Sequence, residues 1–133
     1  MEKNERELIC LDTHTDAERE GRILSKVPTE DEAIDASELF SQLSCPTRIR
    51  LLSILALDQI CVCELAGMLG ISQPAVSHHL RMLRQSGFVR YKKQGKQVQY
   101  SISDSPGGRL LRTIIQDIMD RRDEDEKQEP KNI

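Results

Sequence analysis

A three-residue connection, Gly70-Ile71-Ser72, separates two stretches of helical spacing and constrains the fold more than any other feature of the chain. Glycine suits the left-handed stop of a short helix over about 62–69, and Ser72 suits the cap of a second over about 72–86, itself stopped by Gly87. Two helices joined by so short a turn form a helix-turn-helix. In the second, Val76, Leu80 and Leu83 fall at i, i+4 and i+7 and define a buried stripe. The opposite face carries Gln73, Ser77, His78 and Arg81, residue types that reach base edges and phosphates in a major groove, while Ser72 sits at a helix N-terminus, which favours phosphate. His79 reads as packing.

After Gly87, two runs flank Gln94-Gly95-Lys96, and in the second of them Val98, Tyr100 and Ile102 alternate with polar residues. That is the pattern of a β-hairpin. A hairpin bearing Lys92, Lys93 and Lys96, directly behind a recognition helix, is a wing that lies along the DNA backbone or in the minor groove. The expected fold is therefore mainly α with a small β-hairpin, a winged helix-turn-helix. Net charge agrees once its distribution is considered. Between Glu64 and Asp104 there is no acidic residue, and Arg81, Arg84, Arg90, Lys92, Lys93 and Lys96 give +6, so that with a whole-chain charge of -3 the remainder sums to -9. A basic middle between acidic flanks is the electrostatic footprint of a DNA-binding face, the alternative being a charged surface that is merely solvated.

The rest of the chain frames this core. Residues 1–28 lack a helical period, end in Pro28 and read as a flexible arm. Thr29-Glu30-Asp31-Glu32 is a capping box opening a helix over about 30–43, and Pro46 opens another ending near Leu57, with Ile49, Leu52 and Leu55 on its buried face. Past the break Ser105-Pro106-Gly107-Gly108, a helix over about 109–122 carries a wide apolar stripe. One small domain has little spare core for it. Leu111, Ile114, Ile115 and Ile118 are accordingly expected to form a homodimer interface between terminal helices, the alternative being a helix packed only on its own domain. Residues 123–133 read as a disordered charged tail, leaving 29–122 as the single DNA-binding and dimerisation domain. No apolar run is long enough to span a bilayer and the charged N-terminus is unlike a signal peptide, so no membrane association and a cytoplasmic location are expected. With no Trp, two Phe and two Tyr, the core must be aliphatic.

Cys61 and Cys63 in Ile60-Cys61-Val62-Cys63-Glu64-Leu65 lie at the start of the first helix of the helix-turn-helix, where a metal-binding or redox-sensitive group abuts a DNA-reading element. On a regular helix, residues two apart are separated by about 200° and do not chelate. They converge only where the backbone is not yet helical. Cysteines inside a cell are more often ligands, reactive thiols or core filler than a disulfide framework.

Four ordered segments carry a resemblance: Cys45-Pro46-Thr47-Arg48-Ile49-Arg50-Leu51-Leu52, the Ile60-Cys61-Val62-Cys63-Glu64-Leu65-Ala66 box, Ser72-Gln73-Pro74-Ala75-Val76-Ser77-His78-His79-Leu80, and Lys93-Gln94-Gly95-Lys96. Over about residues 34–120 the chain resembles the ArsR/SmtB family of metal-responsive winged-helix repressors, and the arm around Cys10 is similar to that of the CadC-like, cadmium- and lead-sensing type. The resemblance implies a homodimer that binds double-stranded operator DNA without metal and releases it when metal binds. It also implies Cys10, on the arm, as a third donor beside Cys61 and Cys63, contributed in cis or by a partner subunit. Three thiolates suit a soft metal or metalloid ion of the Cd, Pb, As or Bi class, and His14 would complete a set for Zn or Cd.

Departures bear on this ligand set. Arg6 stands where CadC-like arms carry a further cysteine, and the last helix and its approach offer Asp104, Asp117 and Asp120 without the histidines of the family's zinc site. Cys45 is a buried or capping thiol or a possible ligand. Two other function classes are considered: a thiol-redox or persulfide-sensing repressor of the same fold, and a protein-interaction module, against which the acid-free basic segment argues. No paired acid and base, phosphate-cradling loop or activated nucleophile marks an enzyme, and no small-molecule substrate is expected.

Overall fold

A computed structural model of the protein describes residues 16–128. Its elements run α1 (Ala17–Leu24), α2 (Glu30–Leu43), α3 (Pro46–Leu57), β1 (Ile60–Cys61), α4 (Val62–Leu69), α5 (Gln73–Gln85), β2 (Val89–Gln94), β3 (Gln97–Ile102) and α6 (Pro106–Gln128). The chain divides into two units, Met1–Ala36 and Ser37–Ile133.

In the first unit, α1 corrects the expectation that the arm is without helix. Asp16 caps it by accepting from the Arg19 amide at 3.1 Å, Glu18 pairs with Arg22 at 3.6 Å, and no α1 residue is buried. Eight residues long and without a buried side chain, α1 is marked in the sequence chiefly by its Asp16 cap and the Glu18–Arg22 spacing. At the start of α2 the capping box forms as expected: the Thr29 amide donates to Glu32 Oε2 at 3.2 Å and the Glu32 amide donates to Thr29 Oγ1 at 3.3 Å.

The second unit is built around one aliphatic core. Leu51, Leu52 and Leu55 of α3, Leu65, Ala66 and Leu69 of α4, and Val76, Leu80 and Leu83 of α5 meet Phe88, Val89, Ile102, Leu111 and Ile115. On α3 the buried face includes Leu51, whereas Ile49, expected there, is half-buried. Gly70 ends α4 at φ 68°, in the left-handed region, its amide donating to the Ala66 carbonyl.

The hairpin gains a strand that the sequence does not announce. The sheet is antiparallel in the order β1-β3-β2, with Ile60 opposite Tyr100 and Cys61 opposite Gln99 on one side, and Val89 opposite Ile102 through Gln94 opposite Gln97 on the other. Two residues are too few to display alternation, so β1 is visible only through its pairing.

Three features of α6 depart from expectation. It begins at Pro106, inside the supposed break, because Ser105 Oγ accepts from the Gly108 amide at 3.0 Å and donates to the Gly87 carbonyl at 2.9 Å. It also continues to Gln128, so residues 123–128 of the expected disordered tail are helical, with Arg122 and Glu126 paired at 3.3 Å; residues 129–133 lie outside the described residues. Finally, Leu111 and Ile115, expected at a dimer interface, are 1% and 0% exposed inside this protomer's own core, where α6 packs on α3. They offer nothing to a partner. The outer face is left with Leu110 and Ile118, both exposed, and the half-buried Ile114.

Candidate nucleic-acid interface and thiol site

Ser72 caps α5, its Oγ accepting from the Ala75 amide at 3.2 Å, and Pro74 sits in the first turn, where its missing amide proton costs nothing. With Val76, Leu80 and Leu83 fully buried, Gln73, His78 and Arg81 are exposed and Ser77 is half-buried. Lys92, Lys93 and Lys96 are all exposed on the hairpin. The other two cations of the basic segment are engaged within the protein. Arg90 pairs with Asp104 at 3.2 Å, and the Arg84 guanidinium lies 5.0 Å from the centre of the Tyr91 ring, which is in turn tilted 6.0 Å from Tyr100. Arg84, Tyr91 and Tyr100 thus brace the end of α5 against both strands of the wing, a role that charge and periodicity do not signal.

His79 is half-buried and makes a polar contact. Its Nδ1 accepts from Arg48 Nε at 3.1 Å. Burial holds its pKa below the ordinary histidine value, with the Arg48 charge and then His78 adding to the effect.

The thiols sit in unlike surroundings. Cys61 ends β1 and is the N-cap of α4, with extended backbone at φ -87°, ψ 163°; it is buried, and its Sγ–H donates to Glu64 Oε1 at 3.2 Å. Cys63 lies in the first turn of α4 and is exposed. Cys61 is therefore outside the regular helix, the condition that convergence of the two demands. Cys45 caps α3, half-buried, without a capping hydrogen bond from its side chain. Cys10 and His14 lie outside the described residues. Among the described residues no three His, Cys, Asp or Glu side chains gather as a metal-holding group. Of the carboxylates on and beside α6, Asp104 pairs with Arg90, Asp117 with Arg121 at 2.8 Å, and Asp120 accepts from Gln116 at 2.9 Å.

Comparison with known proteins places this arrangement. The family described as bacterial regulatory protein, arsR family, matches residues 45–91, from the cap of α3 into the wing. Over 112 residues the chain is 37% identical to the transcriptional repressor SmtB homolog of Synechocystis sp., covering 84% of this chain and 85% of that protein. The chain belongs to the ArsR/SmtB family. This ArsR/SmtB chain is also 39% identical over 72 residues to the cadmium resistance transcriptional regulatory protein CadC homolog of Staphylococcus aureus, covering 53% of this chain and 60% of that protein. Among solved structures it is similar to the AntR antimony-specific transcriptional repressor, with a TM-score of 0.62 and 31% identity over 75% of this chain and 87% of that one. ArsR/SmtB members are DNA-binding transcriptional regulators rather than enzymes, and the winged helix-turn-helix described above is their fold. No described helix is long and apolar enough to cross a membrane.

Proposed function

We propose that this ArsR/SmtB chain is a cytoplasmic repressor that senses soft metals or metalloids: a homodimer that occupies operator DNA when metal-free and leaves it when Cys10, Cys61 and Cys63 bind an ion of the Cd, Pb, As, Bi or Zn class. The observation that carries this reading is the position of Cys61. It joins β1, which pairs with the central strand of the wing sheet, to α4, which packs on α5. Drawing Cys61 and Cys63 around one ion turns the buried Cys61 away from Glu64 and pulls on both DNA-contacting parts. Coupling of about 1 to 3 kcal/mol between two such sites is enough to empty an operator. The named relatives, a cadmium resistance regulator and an antimony-specific repressor, support the ligand class. DNA is read by Ser72, Gln73, Ser77, His78 and Arg81 and its backbone held by Lys92, Lys93 and Lys96; the subunits meet through the outward face of α6.

The test uses a duplex selected from a random-sequence pool by the metal-free protein. Cd(II) is expected to release it from the wild type, to fail with Cys61→Ser and Cys63→Ser, and to act at higher concentration with Cys10→Ser. Release from a folded Cys61→Ser protein would place the sensing site elsewhere.

One observation favours a second reading. The described residues pair an exposed thiol with a buried one and supply no third donor, an arrangement that also suits oxidation or persulfide chemistry. Release by oxidant in the presence of a chelator, with none by Cd(II) under reducing conditions, would favour it.

A further inference from the structure

The apolar stripe of α5 seats the helix on the core and Arg84 braces its C-terminal end against Tyr91, which leaves the turn that carries Ser77 and His78 without a polar anchor of its own on that face. Successive residues on a helix lie about 100° apart, so a modest rotation moves Ser77, His78 and Arg81 together off any groove they face. Arg48 supplies a directional contact there. Its Nη1 donates to the Gln42 carbonyl at 3.0 Å and to Gln42 Oε1 at 2.9 Å, while Nε donates to His79 Nδ1 at 3.1 Å. One half-buried guanidinium in the first turn of α3 thereby ties the end of α2 to the middle of the recognition helix, across 31 residues of sequence.

For Nδ1 to accept, His79 must be neutral with its proton on Nε2. Protonation would set an N–H against an N–H and a cation beside a cation. We propose that Arg48 is a positioning residue for the recognition helix that works only while His79 is neutral, so that acid weakens DNA binding by this protein. This role depends on α5 being the DNA-reading helix and not on the thiol site.

The surroundings of His79 support it. The charges beside it are Arg48 from α3 and His78 from α5 itself; Gln42 of α2 is neutral, and the elements packed on α5 add the charged residues Glu64 of α4 and Arg90, Lys92 and Lys93 of β2. Burial and both neighbours favour the neutral form, lowering its pKa from 6.5. The unfolded chain therefore takes up this proton first. Stability is complete above about pH 6.5 and falls with pH down through the lower pKa of the folded state, where the hydrogen bond from Arg48 breaks as well. Added positive charge beside a phosphate backbone ordinarily strengthens binding, whereas a displaced helix weakens it. The direction of the pH response thus separates the two effects.

The experiment measures affinity for the selected duplex by fluorescence anisotropy at fixed salt from about pH 7.5 to about pH 5, with a nitrogen-15 imidazole titration of the free protein alongside. The wild type is expected to lose up to about one decade of affinity per pH unit for each protomer below the His79 pKa. In His79→Asn the side-chain oxygen occupies the place of Nδ1 and does not titrate. That variant should bind within about threefold of the wild type at neutral pH and lack the acid loss, the difference of one hydrogen bond being small. Arg48→Met should bind more weakly at neutral pH and also lack it. Wild-type affinity that rises on acidification, or an acid loss retained by His79→Asn, would overturn the proposal. So would a protonated Nδ1 at neutral pH, a readout that needs neither a folded variant nor a DNA ligand.

Discussion

At Gly108 a Cβ would overlap the Ser103 carbonyl oxygen, backbone against backbone, because the first turn of α6 is drawn down onto the end of β3. Ser105 makes that approach rigid by bonding at once to the Gly108 amide and to the Gly87 carbonyl behind α5. Gly108→Ala should therefore destabilise the fold by about 1 to 3 kcal/mol, as overpacking a close approach does, and lower the urea midpoint at unchanged m-value. A midpoint equal to the wild type would mean that α6 starts elsewhere. At this scale the sequence was legible where a residue acts on its near neighbours: the caps at Ser72 and Thr29 and the stops at Gly70 and Gly87 follow from local rules. It was illegible where partners are distant. Nothing in the spacing joins Arg48 to His79 or sets Arg84 over Tyr91, since each pairing exists only after the helices have packed.

Among the elements, α6 shows how a correct periodicity leads to a wrong partner. Its apolar stripe is real, yet Leu111 and Ile115 are consumed by the protomer and only Leu110, Ile114 and Ile118 remain toward the outside. A stripe read from sequence does not say which of its two edges faces in. The two edges give separable outcomes. Ile115→Glu buries an unpaired charge at a position with 0% exposure and should unfold the protomer, a loss of several kcal/mol seen as collapse of the thermal transition. Ile118→Glu, at a position 44% exposed, should leave helicity and melting of the protomer intact while shifting the proposed dimer to monomer in sedimentation. If Ile118→Glu sediments as the wild type does, the subunits do not meet through this face. The helix-turn-helix and hairpin were read within a residue or two because caps, period and turn agree there; β1 and α1 were not, one for want of length and the other for want of a buried side.

For the molecule as a whole, the acid-free stretch from Leu65 to Ser103 spans the two parts that meet DNA in this reading, and the acids lie outside it. Binding to phosphates releases counterions, so affinity should fall steeply with salt, and Lys93→Ala with Lys96→Ala should shallow the slope of log K against log salt by about one unit for each lysine–phosphate pair removed. An unchanged slope would remove the wing tip from the interface. The sheet has one more consequence. Its outer strand is two residues long and ends in Cys61, so a ligand that draws this thiol away unzips the ladder at its shortest edge and leaves β3 with a single neighbour. The wing then changes from a plate clamped on both sides to a ribbon held on one. Amide exchange at the one of Gln99 and Tyr100 whose N–H faces β1 should accelerate when Cd(II) is added, while Leu80 and Leu83 in the core of α5 stay protected: a repressor working as proposed would loosen its grip on DNA by softening before it moves.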